Sequence, residues 1–206
     1  MSELLLQKDG CGIFIASRDM IIEAIFSTLD AVGQPNFAPM GVSWDEEEMT
    51  VRPFRQTQTC RNLLATGYGV VNVTDDVLAF VQSALYDAVL PHFAALRVPG
   101  VVFQGVCYWR ELEVVAVAGN QDRAEIRCRV VSKGWKRDFL GFSRAKGAVV
   151  ESTILATRLH LHDRETVPEE LRRYEEIVIK TGNDTERTAL RQIREFVRRW
   201  SNDAGH

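Results

Sequence analysis

The chain has 206 residues, of which 46% are hydrophobic and 26% are charged, as is ordinary for a globular protein. Its net charge of −3 and the lack of a basic half exclude a large nucleic-acid surface, and no apolar stretch approaches the roughly 20 residues of a membrane span. The four cysteines form no CxxC pair and residues 1–10 show no signal-peptide pattern, so we expect a cytoplasmic protein with reduced thiols and no metal site.

The first quarter of the chain predicts β-strands. Three segments rich in β-branched and aromatic residues are separated by turn-forming sequences: 20–30, 36–44 and 49–54. Pro39 and Pro53 have no backbone N–H, so we expect each at a sheet edge, a bulge or a strand end. The segment that follows Pro53 is therefore expected just beyond the end of a strand.

That segment, RQTQTCRNLLATG, gathers basic side chains and hydroxyls at the start of a short helix that ends at Gly67. A helix start exposes unpaired N–H groups and the positive end of the helix dipole, and nearby hydroxyls and an arginine complete an anion site. Arg55 can bind a phosphate through two parallel donors, and Thr57 and Thr59 each add a donor. The alternative is that one of the two threonines is simply the helix N-cap.

The middle of the chain predicts a strand at 68–73, a helix capped by Thr74, and a loop over 87–104. A β-hairpin follows at 106–132, where apolar residues alternate with arginines in the second arm. Three glutamates lie on or opposite that arm: Glu111, Glu113 and Glu125. We therefore interpret the arginines as one half of a charge-paired solvent face and not as a nucleic-acid stripe.

The last third of the chain changes to helical periodicity. Three helical segments are predicted: 143–162, 166–182 and 183–200. The second opens with a capping box formed by Thr166 and Glu169. Strands followed by helices predict an α+β fold, with a mostly antiparallel β domain and a helical C-terminal part.

The connection before these helices carries four large apolar side chains: Trp135, Phe139, Leu140 and Phe142. Burying each one contributes roughly 1.5–3 kcal/mol. We therefore expect all four to be buried and the helices to pack on the barrel.

Two stretches of the first half, PNFAPMGV and RQTQTCRNLLATGYGVVNVTDDVLAFV, resemble the flavin reductase branch of the FMN-binding split-barrel superfamily. Together with RAKGAVVESTILATRLHL, they resemble the DUF447 family more narrowly. The resemblance runs roughly from Phe26 through the C-terminal helices. This sequence departs from the pattern at Thr57, where relatives have serine, at Gln58, where they have a basic residue, and at Cys60, where they have an aromatic or polar residue.

The resemblance implies an antiparallel Greek-key split β-barrel with a C-terminal helical subdomain packed on it. The split-barrel domain would span 12–142 and the helical subdomain 143–204. It also implies a homodimer with FMN in a groove at each subunit boundary. The phosphate would be held by Arg55, Thr57, Thr59 and Asn62, and the isoalloxazine would be lined by Asn36, Phe37, Ala38, Pro39 and Met40.

Two functions remain open at this point. The first is an FMN-dependent oxidoreductase acting with a small-molecule substrate or electron donor. The second is a non-catalytic protein that binds a flavin or another small ligand, such as deazaflavin or haem. Cys60 is interpreted as a small buried side chain and not as a nucleophile. The roles of Glu151, Arg158 and His160 stay open, with a helix C-terminus as the default place for His160.

Overall fold

The computed structural model describes residues 20–163 and 165–203. Within these ranges the strands are β1 (Ile21–Leu29), β2 (Pro35–Trp44), β3 (Glu48–Val51), β4 (Tyr68–Val73), β5 (His92–Ala94), β6 (Val101–Phe103), β7 (Tyr108–Gly119) and β8 (Ala124–Trp135). The helices are α1 (Gln58–Thr66), α2 (Val77–Leu85), α3 (Arg144–Thr157), α4 (Val167–Thr181) and α5 (Asp184–Asp203), with a 3-10 helix at Leu159–Leu161. In the part of the chain so described, no helix combines the length and apolar character that crossing a bilayer requires.

Six of the strands close into an antiparallel barrel in the order β1-β2-β3-β8-β7-β4, with β1 also pairing to β4. The strand β1 is buried on both sides. Phe26 points into the barrel interior, whereas Ile25 packs outside it with Phe80 of α2. The barrel with its helical C-terminal part confirms the predicted α+β architecture.

The segment predicted as a loop, 87–104, contains a strand pair instead. The strands β5 and β6 pair antiparallel, with Phe93 opposite Val102. Short strands between prolines carry too weak a periodic signal to be recognised, and this pair is stabilised from outside by the carboxylate of Glu111. That carboxylate accepts the backbone N–H groups of Leu96, Arg97 and Val98 at 3.0, 2.6 and 3.2 Å.

The solvent face of the β7–β8 hairpin is charge-paired for two of the three predicted glutamates. Glu113 pairs with Arg129 at 2.5 Å within the hairpin. Glu125 pairs with Arg52 at 2.9 Å, from beyond the end of β3. The prediction is wrong for Glu111, whose side chain is fully buried and accepts hydrogen bonds from the backbone of residues 96–98.

The helix α2 contributes to two cores. Val77 and Val81 pack into a cluster with the helices α3, α4 and α5, in which Val149 and Ile193 are fully buried. One step around the same helix, Phe80 packs with β1. The C-terminal helices therefore contact the barrel unit chiefly through α2.

Two helix boundaries and one capping box differ from the sequence predictions. Asp76 and not Thr74 caps α2, since its carboxylate accepts from Leu78 N and Ala79 N, whereas the Thr74 hydroxyl donates to Gly105 O at 2.9 Å. Thr166 makes no capping box, because its backbone is already helical and its hydroxyl donates to Asp163 O at 2.9 Å. The helix predicted to reach residue 162 ends at Thr157.

The connection between β8 and α3 contradicts the expected burial of its apolar side chains. Trp135, Phe139, Leu140 and Phe142 are all exposed. The connection is anchored by polar contacts to Asp75, a buried carboxylate at the start of α2. The packing energy that we assigned to these four side chains is therefore not gained within the chain.

Candidate functional site

The barrel wall opens along part of β2. Residues 35–41 pair only with β1, because β3 joins β2 from residue 42 onward. Pro39 lies in this unpaired stretch and Pro53 lies beyond the end of β3, which confirms the edge and strand-end positions expected for the two prolines. An edge without a neighbouring strand leaves backbone groups and space for another partner.

A cavity of about 420 Å³ lies at this opening. It is bounded by β1, β2, the chain around Pro53, the start of α1, the β7–β8 turn and the end of α3. Its lining residues are Ile21, Glu23, Ala38, Pro39, Met40, Gly41, Ser43, Arg52, Pro53, Phe54, Thr57, Thr59, Arg123 and Arg158.

The start of α1 places two hydroxyls in the cavity wall. Thr57 is the N-cap: its Oγ1 accepts from Cys60 N at 3.3 Å and donates to Phe54 O at 2.7 Å. Thr59 is buried, and its Oγ1 accepts from Asn36 Nδ2 at 3.0 Å. Because the first N–H groups of a helix and its positive dipole end lie beside these hydroxyls, this corner suits an anionic group.

Five of the nine residues expected to bind a cofactor line the cavity: Ala38, Pro39, Met40, Thr57 and Thr59. Asn36 lies behind it and orients the Thr59 hydroxyl. Phe37 points to the other face of β2, where it is buried with its ring centroid 5.7 Å from that of His92. Alternation along a strand explains why Phe37 faces away from the cavity, whereas Ala38, Pro39 and Met40 all reach it because this edge of β2 has no neighbouring strand.

Two of the expected phosphate ligands are occupied elsewhere. Arg55 Nε donates to Asn120 O at 2.5 Å and its Nη2 to Ala118 O at 3.4 Å, so its guanidinium binds the tip of the β7–β8 hairpin. Asn62 is buried and donates to Thr28 Oγ1 at 2.9 Å. Within this structure, both residues support the walls of the cavity and do not line it.

Three other arginines line the cavity: Arg52, Arg123 and Arg158. Arg123 lies over the Phe54 ring, with its Cζ 3.9 Å from the ring centroid. Arg158 comes from the end of α3. Sequence reasoning did not assign Arg52 and Arg123 to the site, since their position depends on the pairing of Phe54 with Arg123, 69 residues apart by their numbers, which no local pattern indicates.

Glu23 is the acidic group of this wall. Its side chain is exposed to solvent, and partial desolvation by the wall raises its pKa, nearby Glu151 raises it further, and Arg158 lowers it. Glu151 and Arg158 both belong to the C-terminal helices, so the helical part sets the charge around this strand. His160 is exposed on the 3-10 helix and does not line the cavity.

Cys60 lies in the barrel core directly behind the helix start. It is fully buried, and that burial raises the pKa of its thiol while Arg55 and Arg61 lower it. A buried thiol with a raised pKa is a poor nucleophile, which confirms its interpretation as a small core side chain. Among the described residues, no cluster of three or more His, Cys, Asp or Glu side chains is arranged to hold a metal ion.

The six strands close into an antiparallel barrel with helices on one side, and the free edge of β2 lies beside a helix start that suits an anion. This arrangement is a split barrel with a helical C-terminal part. The chain belongs to the DUF447 family of proteins of unknown function. Residues 22–137 match the model of the family's N-terminal domain, and residues 143–195 match a second model of the family.

Three solved structures illustrate the similarity. An FMN-bound DUF447 protein from Methanosarcina mazei is 27% identical, with a TM-score of 0.76 over 87% of this chain and 96% of that one. An FMN-binding protein from Thermus thermophilus is 17% identical, with a TM-score of 0.48 over 66% of this chain and 82% of that one. A putative flavin reductase with a split barrel domain from Shewanella frigidimarina is 12% identical, with a TM-score of 0.49 over 58% and 69%.

Proposed function

We propose that the protein binds FMN in the cavity beside β2 and uses it as an oxidoreductase. The observation that carries this proposal is the joint presence, in one wall, of the α1 start, two threonine hydroxyls and arginine guanidinium groups. The FMN bound to the Methanosarcina mazei member of the family supports the identity of the ligand.

The residues present fit a flavin mononucleotide. A phosphate monoester needs hydrogen-bond donors and positive charge, which the Thr59 hydroxyl, the first N–H groups of α1 and Arg123 supply, whereas the Thr57 hydroxyl already donates to Phe54 O. A planar ring system needs a flat wall, and the stretch from Ala38 to Gly41 is an edge strand with few protruding groups. A Cβ built on Gly41 would lie 2.7 Å from Ile21 Cγ2 and 3.4 Å from Glu23 Oε1, so the absence of a side chain there lets these two β1 side chains lie close to the β2 backbone.

A bound flavin supplies hydride and single-electron transfer, and the chain has to bind, orient and shield it. The pairing of Asn36 with Thr59 fixes one phosphate donor in place. Arg55 fixes the hairpin tip next to Arg123. Glu23 places one ionisable group in the same wall.

We further propose that the protein is a homodimer. The support is the exposed apolar side chains at the end of β8 and on the connection that follows, where Trp135 is 66% and Leu140 is 81% exposed. Such residues are uncommon on the free surface of a monomer when they are contiguous, and they are typical of a contact with another chain.

The experiment that tests the main proposal is a titration of the purified protein with FMN and with riboflavin, followed by absorbance and fluorescence. We expect a 1:1 complex with FMN and much weaker binding of riboflavin, which lacks the phosphate. Bleaching of the bound flavin by NADH or NADPH, with turnover on an added acceptor, would support the oxidoreductase. Equal affinity for both flavins would reject the phosphate site, and a complex that no donor reduces would reject the enzymatic part.

A further inference from the structure

A second cavity, also of about 420 Å³, lies next to the proposed FMN cavity. It is enclosed by β1, the start of α2, the connection after β8 and the first turns of α3. The two cavities share the side chains of Ile21 and Glu23, which lie on one face of β1, so the cavities adjoin each other on that face. Pockets for small ligands commonly measure about 300–1,000 Å³, so this volume suits one small molecule.

The walls of the second cavity are mainly apolar. They include Ile22, Val73, Val77, Phe80, Tyr108 and Val150. Three of these side chains belong to the two cores that α2 joins and the other three to the core of the barrel, so the bed of the cavity is formed by packed structure and not by the exposed connection alone. An apolar bed of this kind favours a ring or another compact hydrophobic group.

Two charged groups with free hydrogen-bonding capacity interrupt this apolar wall. Lys146, in the first turn of α3, has one carboxylate partner, Asp75 Oδ2 at 3.3 Å, and an ammonium group has three donors. Asp75 also lines the cavity and is paired with Arg137 at 2.6 Å, so two cations share one carboxylate. Glu23 is exposed to solvent and makes no hydrogen bond or ion pair within residues 20–163 and 165–203.

We propose that this cavity binds the substrate: a small molecule with an apolar ring, an anionic group that pairs with Lys146, and an N–H or O–H donor that faces Glu23. This deepens the proposed function, because it assigns a substrate site next to the cavity that would hold FMN. Glu23, which lines both cavities, would then lie between the two ligands.

Direct calorimetric titration with indole-3-acetate tests the proposal, since this probe has a ring, a carboxylate and an N–H group. Two analogues are the matched controls: 3-methylindole lacks the carboxylate, and 1-methylindole-3-acetate lacks the donor. We expect the association constant to be about tenfold lower for 3-methylindole and severalfold lower for 1-methylindole-3-acetate, as the loss of a charged and of a single hydrogen bond predicts. Equal binding of all three compounds would overturn the proposal.

Variants of residues that line the second cavity test whether the probe binds there. Lys146→Met should lower the affinity for indole-3-acetate about tenfold without changing that for 3-methylindole. Glu23→Gln should weaken indole-3-acetate more than 1-methylindole-3-acetate, and Val150→Phe should block all three by filling the cavity. Lys180→Met, which removes an exposed lysine of α4, is the control and should bind as the wild type does. Wild-type binding by Val150→Phe would place the probe elsewhere and overturn the assignment.

The outcomes for the two cavities are separable. Retained binding of indole-3-acetate by a protein that does not bind FMN would reject the FMN proposal and leave the second cavity standing. Binding of FMN without binding of indole-3-acetate would reject the second cavity alone. Binding that occurs only after an oligomer is dissociated would show that a second copy covers this surface, which would also overturn the proposal.

Discussion

Arg137 Nη2 lies 2.6 Å from Asp75 Oδ1, and this ion pair joins the connection after β8 to the start of α2. The same carboxylate accepts the Leu140 N–H at 3.3 Å and lies 3.3 Å from Lys146 Nζ. Burial alone would raise the pKa of Asp75, but Arg137, the Leu140 N–H and Lys146 outweigh it and hold the pKa at about 2. One buried carboxylate thus replaces the apolar contacts that we expected the connection to make.

Asp75→Asn should reduce the free energy of unfolding at pH 7. The pKa falls from 3.8 in the unfolded chain to about 2 in the folded one, so the stabilisation is fully present above pH 3.8 and is lost as the pH falls through about 2. A shift of this size corresponds to about 2 kcal/mol. Urea unfolding at pH 7 and pH 2.5 measures it. Asp138→Asn, on the exposed part of the same connection, is the control, and an equal loss for Asp75→Asn at both pH values would contradict the linkage.

Arg123→Met should weaken FMN binding about tenfold, as expected for a charged hydrogen bond to phosphate. Riboflavin binding should change little, since it has no phosphate. Arg61→Met is the matched control, because Arg61 lies on α1 but binds Gln56 O and does not line the cavity. Fluorescence titration of both flavins gives the result. A similar loss for riboflavin would show that Arg123 acts on the ring or on the fold.

The variant Arg55→Met distinguishes two roles of Arg55, which the sequence analysis expected to bind the phosphate. The structure directs its guanidinium to the carbonyls of Ala118 and Asn120, so we expect faster amide hydrogen exchange at residues 119–123 and equal effects on FMN and riboflavin. A loss of affinity confined to FMN, with unchanged exchange, would instead identify Arg55 as a phosphate ligand that turns toward the cavity on binding.

The homodimer is testable by sedimentation velocity at micromolar concentration. We expect a species of twice the chain mass for the wild type and a monomer for the double variant Trp135→Ser, Leu140→Ser, because both side chains are exposed and their replacement costs no packing within the chain. Val32→Ser, an exposed apolar residue in the β1–β2 turn, should leave the dimer unchanged. A wild-type monomer that binds FMN with full affinity would reject the dimer.

The domain division at residue 142 remains a proposal that truncation can test. A chain ending there would expose Val77 and Val81, which are buried by the C-terminal helices. We expect this truncated chain to have a lower melting temperature than the full chain and to associate through α2. If it melts as the full chain does and binds FMN equally well, the helices are an independent appendage.

Local signals in the sequence were sufficient for much of this structure. Pro39 and Pro53 predicted a sheet edge and a strand end, because a residue without a backbone N–H cannot donate a hydrogen bond to a neighbouring strand in any fold. The hydroxyls and helix start at 57–59 marked an anion-suited corner for a similar reason. Glu111 was misjudged because its partners, the N–H groups of residues 96–98, come from a turn that has no sequence signature linking it to β7. Arg123 was missed for the same reason, since only the three-dimensional pairing of Phe54 with Arg123 puts it beside α1.

The two faces of α2 also constrain how this protein can change in evolution. A substitution that suits Val81 to new neighbours on α3 or α5 also shifts Phe80 against β1, since consecutive helical residues move as one rigid body. Beyond β1 lie both cavities. Exchange of the C-terminal helices for those of a relative should therefore require compensating changes in α2 and β1, so the two halves of the chain are expected to be inherited together.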